Sequence, residues 1–206
     1  VDIQNCDEGL ESTSVVVNGG RIVINSADDG INASDSTTAA AGGSASSSAC
    51  QLAINGGTLI ITAGGDGIDS NGSLAITGGV VLVSTASNGN GALDYDSTGT
   101  ITGGIVIAAD TGSMSENFTT DSTQGALLVS VGSQSAGTRV TLTGAVGSVI
   151  ASYTPTTSYN TVVISAPAMT QGSSYTVSVG GTAEADTSGF ASSGALSGGT
   201  EVSTAT

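Results

Sequence analysis

An all-β fold of stacked, similar coils is what this 206-residue sequence predicts, and three observations predict it. Gly-Gly pairs recur as Asn18-Gly19-Gly20, Asn55-Gly56-Gly57, Thr77-Gly78-Gly79 and Thr102-Gly103-Gly104. An aliphatic run follows each pair: Ile22-Val23-Ile24, Leu59-Ile60-Ile61, Val81-Leu82-Val83 and Val106-Ile107-Ala108. Two of those runs lead into similar acidic turns, Asp28-Asp29-Gly30-Ile31-Asn32 and Asp66-Gly67-Ile68-Asp69-Ser70-Asn71-Gly72.

Each element follows from side-chain alternation. Alternate residues of a strand share one face, so Ile22/Ile24, Leu59/Ile61, Val81/Val83 and Val106/Ala108 form inward ladders. Before the corners, Val15/Val17, Leu52/Ile54, Leu74/Ile76 and Ile101 behave alike, giving at least two strands per turn. The pairs are 37, 22 and 25 residues apart, and the shorter intervals suit a coil of a parallel β-helix, which buries its core by stacking. The long interval requires an insertion, read as a loop over 35–49 that is rich in Ser, Thr, Ala and Gly, inert or functional.

The outward positions Val23, Ile60, Leu82 and Ile107 are also aliphatic and need a cover. Residues 126–131, 139–143, 161–165 and 175–179 read as strands that pack there or cap the stack, and a neighbouring subunit is the other candidate cover. The expected organisation is therefore coils over 1–121, a C-terminal β segment over 122–187 and a flexible Ser/Gly-rich tail over 188–206.

Charge narrows the function. A net charge of -15, with Arg21 and Arg139 the sole basic side chains, excludes a nucleic-acid surface and disfavours anionic membranes. With no apolar run near the length of a membrane span and no initiating Met, the chain reads as a mature or trimmed extracellular or cell-surface fragment. In that setting Cys6 and Cys50 favour a disulfide over two buried thiols.

Of the 17 acids, 14 precede residue 122, clustered at Asp7/Glu8/Glu11, Asp28/Asp29, Asp66/Asp69 and Asp94/Asp96. Equivalent carboxylates on coils about 4.8 Å apart repel one another, and a divalent cation reverses the sign. Hard oxygen donors without His point to calcium, held by Asp28, Asp29, Asn32, Asp66, Asp69, Asn71, Asp94 and Asp96. The plainer alternative is that Asp-Gly and Asn-Gly are ordinary turn formers.

The ordered set Glu8-Gly9-Leu10-Glu11, Asp28-Asp29-Gly30-Ile31-Asn32-Ala33, Asp66 to Gly72, Ala92-Leu93-Asp94-Tyr95-Asp96, Val163 to Pro167 and Gly172 to Thr176 resembles a bacterial family of secreted carbohydrate-binding proteins. Its members are right-handed parallel β-helices, related in fold to pectate lyases, that bind calcium and plant cell-wall polysaccharides such as cellulose and pectin. The resemblance spans most of the chain. Members extend further at the N-terminus and differ before the Glu-Gly-Leu-Glu motif, which implies missing first coils or a specialised branch.

A lyase of that fold needs a cationic base beside the acids, and Arg21 and Arg139 do not stand in the acidic turns. The expected function is therefore noncatalytic, calcium-dependent binding of an extracellular polysaccharide, with Tyr95, Glu8 and Glu11 as further ligand contacts. The alternative is a filament or matrix subunit, a homo-polymer built by coil stacking or strand exchange.

Overall fold

The computed structural model describes residues 1–35, 46–86, 89–112, 114–170 and 172–205, and every assigned regular element among them is a β-strand. Most of the 35–49 insertion thus lies outside the described residues.

Strands are numbered in chain order. The first thirteen cycle through three sheets. Sheet I takes β1 (Asp2–Cys6), β4 (Arg21–Ser26), β7 (Thr58–Ala63), β10 (Val80–Thr85) and β13 (Ile105–Asp110). Sheet II takes the short strands β2 (Leu10–Glu11), β5 (Ile31–Ala33), β8 (Ile68–Ser70) and β11 (Leu93–Tyr95). Sheet III takes β3 (Ser14–Val17), β6 (Gln51–Ile54), β9 (Ser73–Ile76) and β12 (Thr98–Ile101). All pairings within this set are parallel, with Ile22 beside Leu59, Leu59 beside Val81 and Val81 beside Val106. Each coil thus adds one strand to each sheet, and the third strand joins the two that were visible in the repeat.

The predicted inward ladders form the core. Ile24, Leu59, Ile61, Val81, Val83, Val106 and Ala108 join Leu52, Ile54, Leu74, Ile76 and Ile101 in one buried cluster, with Ile22 packed at its margin. Short sheet II strands work because their outer residues, such as Ile68 and Ser70, are fully buried while the central Asp69 is not. At the Gly-Gly corner the chain needs glycine for two reasons. Gly57 has φ +91°, and a Cβ there would lie 2.6 Å from the Gly20 carbonyl oxygen of the preceding coil. L-residues pay a steric penalty in that left-handed region.

Beyond β13 the parallel order ends. The strand β17 (Tyr159–Ser165) pairs antiparallel with β13, and β14 (Ala126–Gln134) pairs antiparallel with β17, extending sheet I to seven strands. Val163 and Phe118 close the inner core at this end. Sheet IV consists of β15 (Val140–Gly144), β16 (Val149–Tyr153), β18 (Tyr175–Val179) and β19 (Thr200–Ala205), all antiparallel. It supplies the cover the outward ladder needed. Leu82 and Ile107 share a second buried cluster with Val140, Leu142, Tyr153, Tyr159 and Val177, with Ile60 at the edge. Tyr153 fixes the contact through its hydroxyl, 3.0 Å from Ser84 Oγ. Val23, one coil further out, lies outside this cluster.

Two expectations need correction. The tail is built into sheet IV, because β19 pairs with β18 and bridges join Ser152 to Ala191 and Thr182 to Ser197. Pairing by backbone does not require an apolar sequence, so TEVSTA can serve as an edge strand. Cys6 and Cys50 are free thiols. They occupy different sheets: Cys6 ends β1, its Sγ 3.7 Å from the Asn25 carbonyl oxygen, while fully buried Cys50 leads into β6 on sheet III.

Candidate functional site: the acidic face of sheet II

The acidic turns are the approach to sheet II and its strands. Register places Glu11 beside Asn32, Asn32 beside Asp69, and Asp69 beside Asp94, one per coil. These side chains point outward because their strand neighbours point into the core.

A second ladder stands just before those strands. Asp29 Oδ1 accepts the backbone N–H of Asp66 at 2.7 Å, and Asp66 Oδ1 accepts that of Gly91 at 2.6 Å. Each Asp thereby holds the next coil, a use of the Asx side chain beyond its own turn. Glu8 belongs to the same group, since Asn32 Nδ2 donates to Glu8 Oε1 at 3.2 Å and to Asp29 Oδ2 at 3.3 Å. Asp28 is exposed beside Asp29, and a Cβ on Gly65 would collide with an oxygen of each. Asp96 is exposed at the rim, its N–H bonded to the Ser70 carbonyl, and Asn71 starts the turn into sheet III with its N–H on the Ala33 carbonyl. Exposed Glu11 accepts from Ser34 Oγ at 3.4 Å.

The electrostatics follow from packing acids on acids. Burial pushes the Asp69 carboxyl up to about 8, helped by repulsion from Asp29, Asp94, Asp66 and Asp96. Burial likewise takes Asp66 up to about 7, against the N–H bond from Gly91, and Asp29 and Asp94 add to the rise. Glu8, Asp29 and Asp94 are raised too, each chiefly by burial. The arginines lie elsewhere: Arg139 donates to Ser152 Oγ and the Gly189 carbonyl, and Arg21 is exposed at the start of β4 on sheet I.

The sequence reading missed two members. Asp110, at the end of β13, accepts from the backbone N–H of Ala92 at 3.0 Å and from Gly112 at 2.7 Å. Its position after the last aliphatic run was the available signal. Glu116 comes from a segment without repeat, and burial and Asp94 raise its carboxyl. Tyr95 is less available than expected: it packs on the inner core over Gly99, and its hydroxyl donates to the Asn117 carbonyl.

Glu8 Oε2, Asn32 Oδ1 and Glu116 Oε2 are buried oxygens without a hydrogen-bond partner. Such atoms suit a hard cation. Among the described residues, however, no three acidic or thiol side chains already converge as a metal cage. Among the same residues no helix is long and apolar enough to cross a membrane.

A family model for carbohydrate-binding domain-containing proteins matches residues 1–174. The chain belongs to this family. The match covers all the coils, the acidic face and the strands that close the stack. No curated protein and no solved structure gives a significant match.

Proposed function

We propose that this member of the carbohydrate-binding family is a noncatalytic extracellular module, a right-handed parallel β-helix that binds a plant cell-wall or similar polysaccharide through calcium on sheet II. The observation that carries the reading is the stacked set of outward, raised-pKa acids, with unpartnered oxygens, in a family of carbohydrate binders. A right-handed winding is the rule for parallel strands joined by crossovers.

Calcium would draw on Glu8, Asp29 and Asn32 at one end and on Asp66, Asp69 and Asp94 at the other, with Asp28, Asn71, Asp96 and Glu11 at the rim. When bound it supplies positive charge and open coordination positions for sugar hydroxyls or uronate oxygens. The chain's own residues supply position: backbone N–H groups fix Asp29 and Asp66, and strand register fixes Asp69 against Asp94. The filament alternative has less support, because coil stacking needs two open ends and β17 with Phe118 covers one.

Sedimentation with polygalacturonate, in calcium and in excess chelator, tests the proposal. Pelleting only with polymer and calcium is expected. Pelleting without polymer would favour the filament, and solubility throughout would sink both readings.

A further inference from the structure

A second feature lies away from the acids. A cleft of about 720 Å³ opens where the last Gly-Gly corner meets the closing strands and sheet IV. Its volume falls within the range of small-molecule sites. Leu127, Pro167 and Met169 give it an apolar wall, and Thr102 and Thr123 give it exposed hydroxyls. None of its lining residues is Asp, Glu, Lys or Arg, in a chain that carries 17 acids.

The lining is fixed before any ligand arrives. Gln124 is 9% exposed, and its Nε2 donates to the Gly104 carbonyl at 2.9 Å and to Ser165 Oγ at 2.8 Å. The Tyr175 hydroxyl accepts the Thr170 N–H at 2.6 Å and donates to the Ala168 carbonyl at 3.1 Å, which holds the opposite rim. Preorganised walls lower the ordering cost of binding.

We infer that this cleft is a cation-independent subsite for an uncharged stretch of polysaccharide. Pyranose rings present C–H faces to apolar walls and hydroxyls to polar ones, which matches the lining. A uronate would enter without a cationic partner and against a net charge of -15, so the neutral sugar is the occupant the chemistry selects. The inference rests on the family's carbohydrate binding and not on calcium at sheet II. All but two lining residues, Tyr175 and Ala205, fall inside the family match.

The test is calorimetric titration of the full chain, in excess chelator, with neutral cello-, xylo- and manno-oligosaccharides. Saturable binding of at least one is expected. Thr123→Trp and Thr102→Trp, both exposed positions on the lining, should each weaken it about tenfold or more while leaving the melting temperature unchanged. Asp69→Asn should leave it intact. No saturable heat with any of the three, or equal affinity in both tryptophan variants, would overturn the inference. Polygalacturonate pelleting in calcium reads sheet II separately, so failure at either site is distinguishable from failure at the other.

Discussion

At the Gly-Gly corner each coil sets a neutral side chain above another, whereas at sheet II acids crowd on neighbouring coils, Asp69 beside Asp94 and Asp29 bonded to the next coil at Asp66. The neutral corner satisfies itself: Asn55 Nδ2 donates to Asn18 Oδ1, and Thr77 Oγ1 donates to Asn55 Oδ1, both at 2.8 Å. An amide both donates and accepts, so a ladder of amides can continue from coil to coil. A carboxylate only accepts. Asp29 and Asp66 therefore turn to backbone N–H groups, and the remaining charge is left to repel. One backbone repeat thus multiplies whatever occupies a position, a continuous hydrogen-bonded ladder at one place and stacked charge at the other.

The largest effect should come from disturbing the close backbone approach at the neutral corner. Gly57→Ala is expected to cost more than about 2 kcal/mol in urea unfolding, combining left-handed strain with the clash against Gly20. Gly19→Ala, with nothing within 4 Å of its Cβ, should cost no more than about 0.5 kcal/mol. Equal costs would remove close approach as the reason for the corner.

A smaller effect separates the acidic face by pH. The carboxyls of Asp66 and Asp69 rise from the ordinary 3.8 to about 7 and about 8 in the fold, so between pH 4 and 8 these two groups hold more protons folded than unfolded. Stability must fall as pH rises through that window. In chelator the melting temperature should decline from pH 5 to 8, less steeply in Asp69→Asn, and calcium should flatten the wild-type profile. A melting temperature that rises over this interval would contradict the packing of these acids.

A modest change is Asn55→Ala, which deletes both ladder bonds of an exposed amide. About 0.5–1 kcal/mol is expected, with no dependence on pH between 5 and 8. A pH-dependent loss would mean that the two corners are coupled.

Much of the coil was legible because Ile, Val and Leu at alternate positions leave few ways to stack. The ladders Ile22/Ile24 to Val106/Ala108 and the need to cover Leu82 and Ile107 were both readable. Sheet II was not. Its strands INA, IDS and LDY are three residues long with a polar centre, so they read as turns. The same holds for β19, whose backbone partner supplies the order that its side chains do not announce. The acids Asp29, Asp66, Asp69 and Asp94 were found by their recurrence, whereas Glu116 lies outside the repeat and only the fold brings it beside Asp94. A cysteine pair suggested a bond, yet two residues that belong to different sheets had no reason in the sequence to declare it.

The register of sheet II has a polyelectrolyte consequence. Coils are about 4.8 Å apart, and a rung such as Asp66 with Asp69 carries two carboxyls, so full ionisation would give roughly one charge per 2.4 Å of axis. That approaches the line density of duplex DNA, about one charge per 1.7 Å, where mobile counterions gather around the axis. On such a line, adding a coil would lengthen the charged edge without raising its density, and counterions would be held by the whole row of rungs rather than by any one of them.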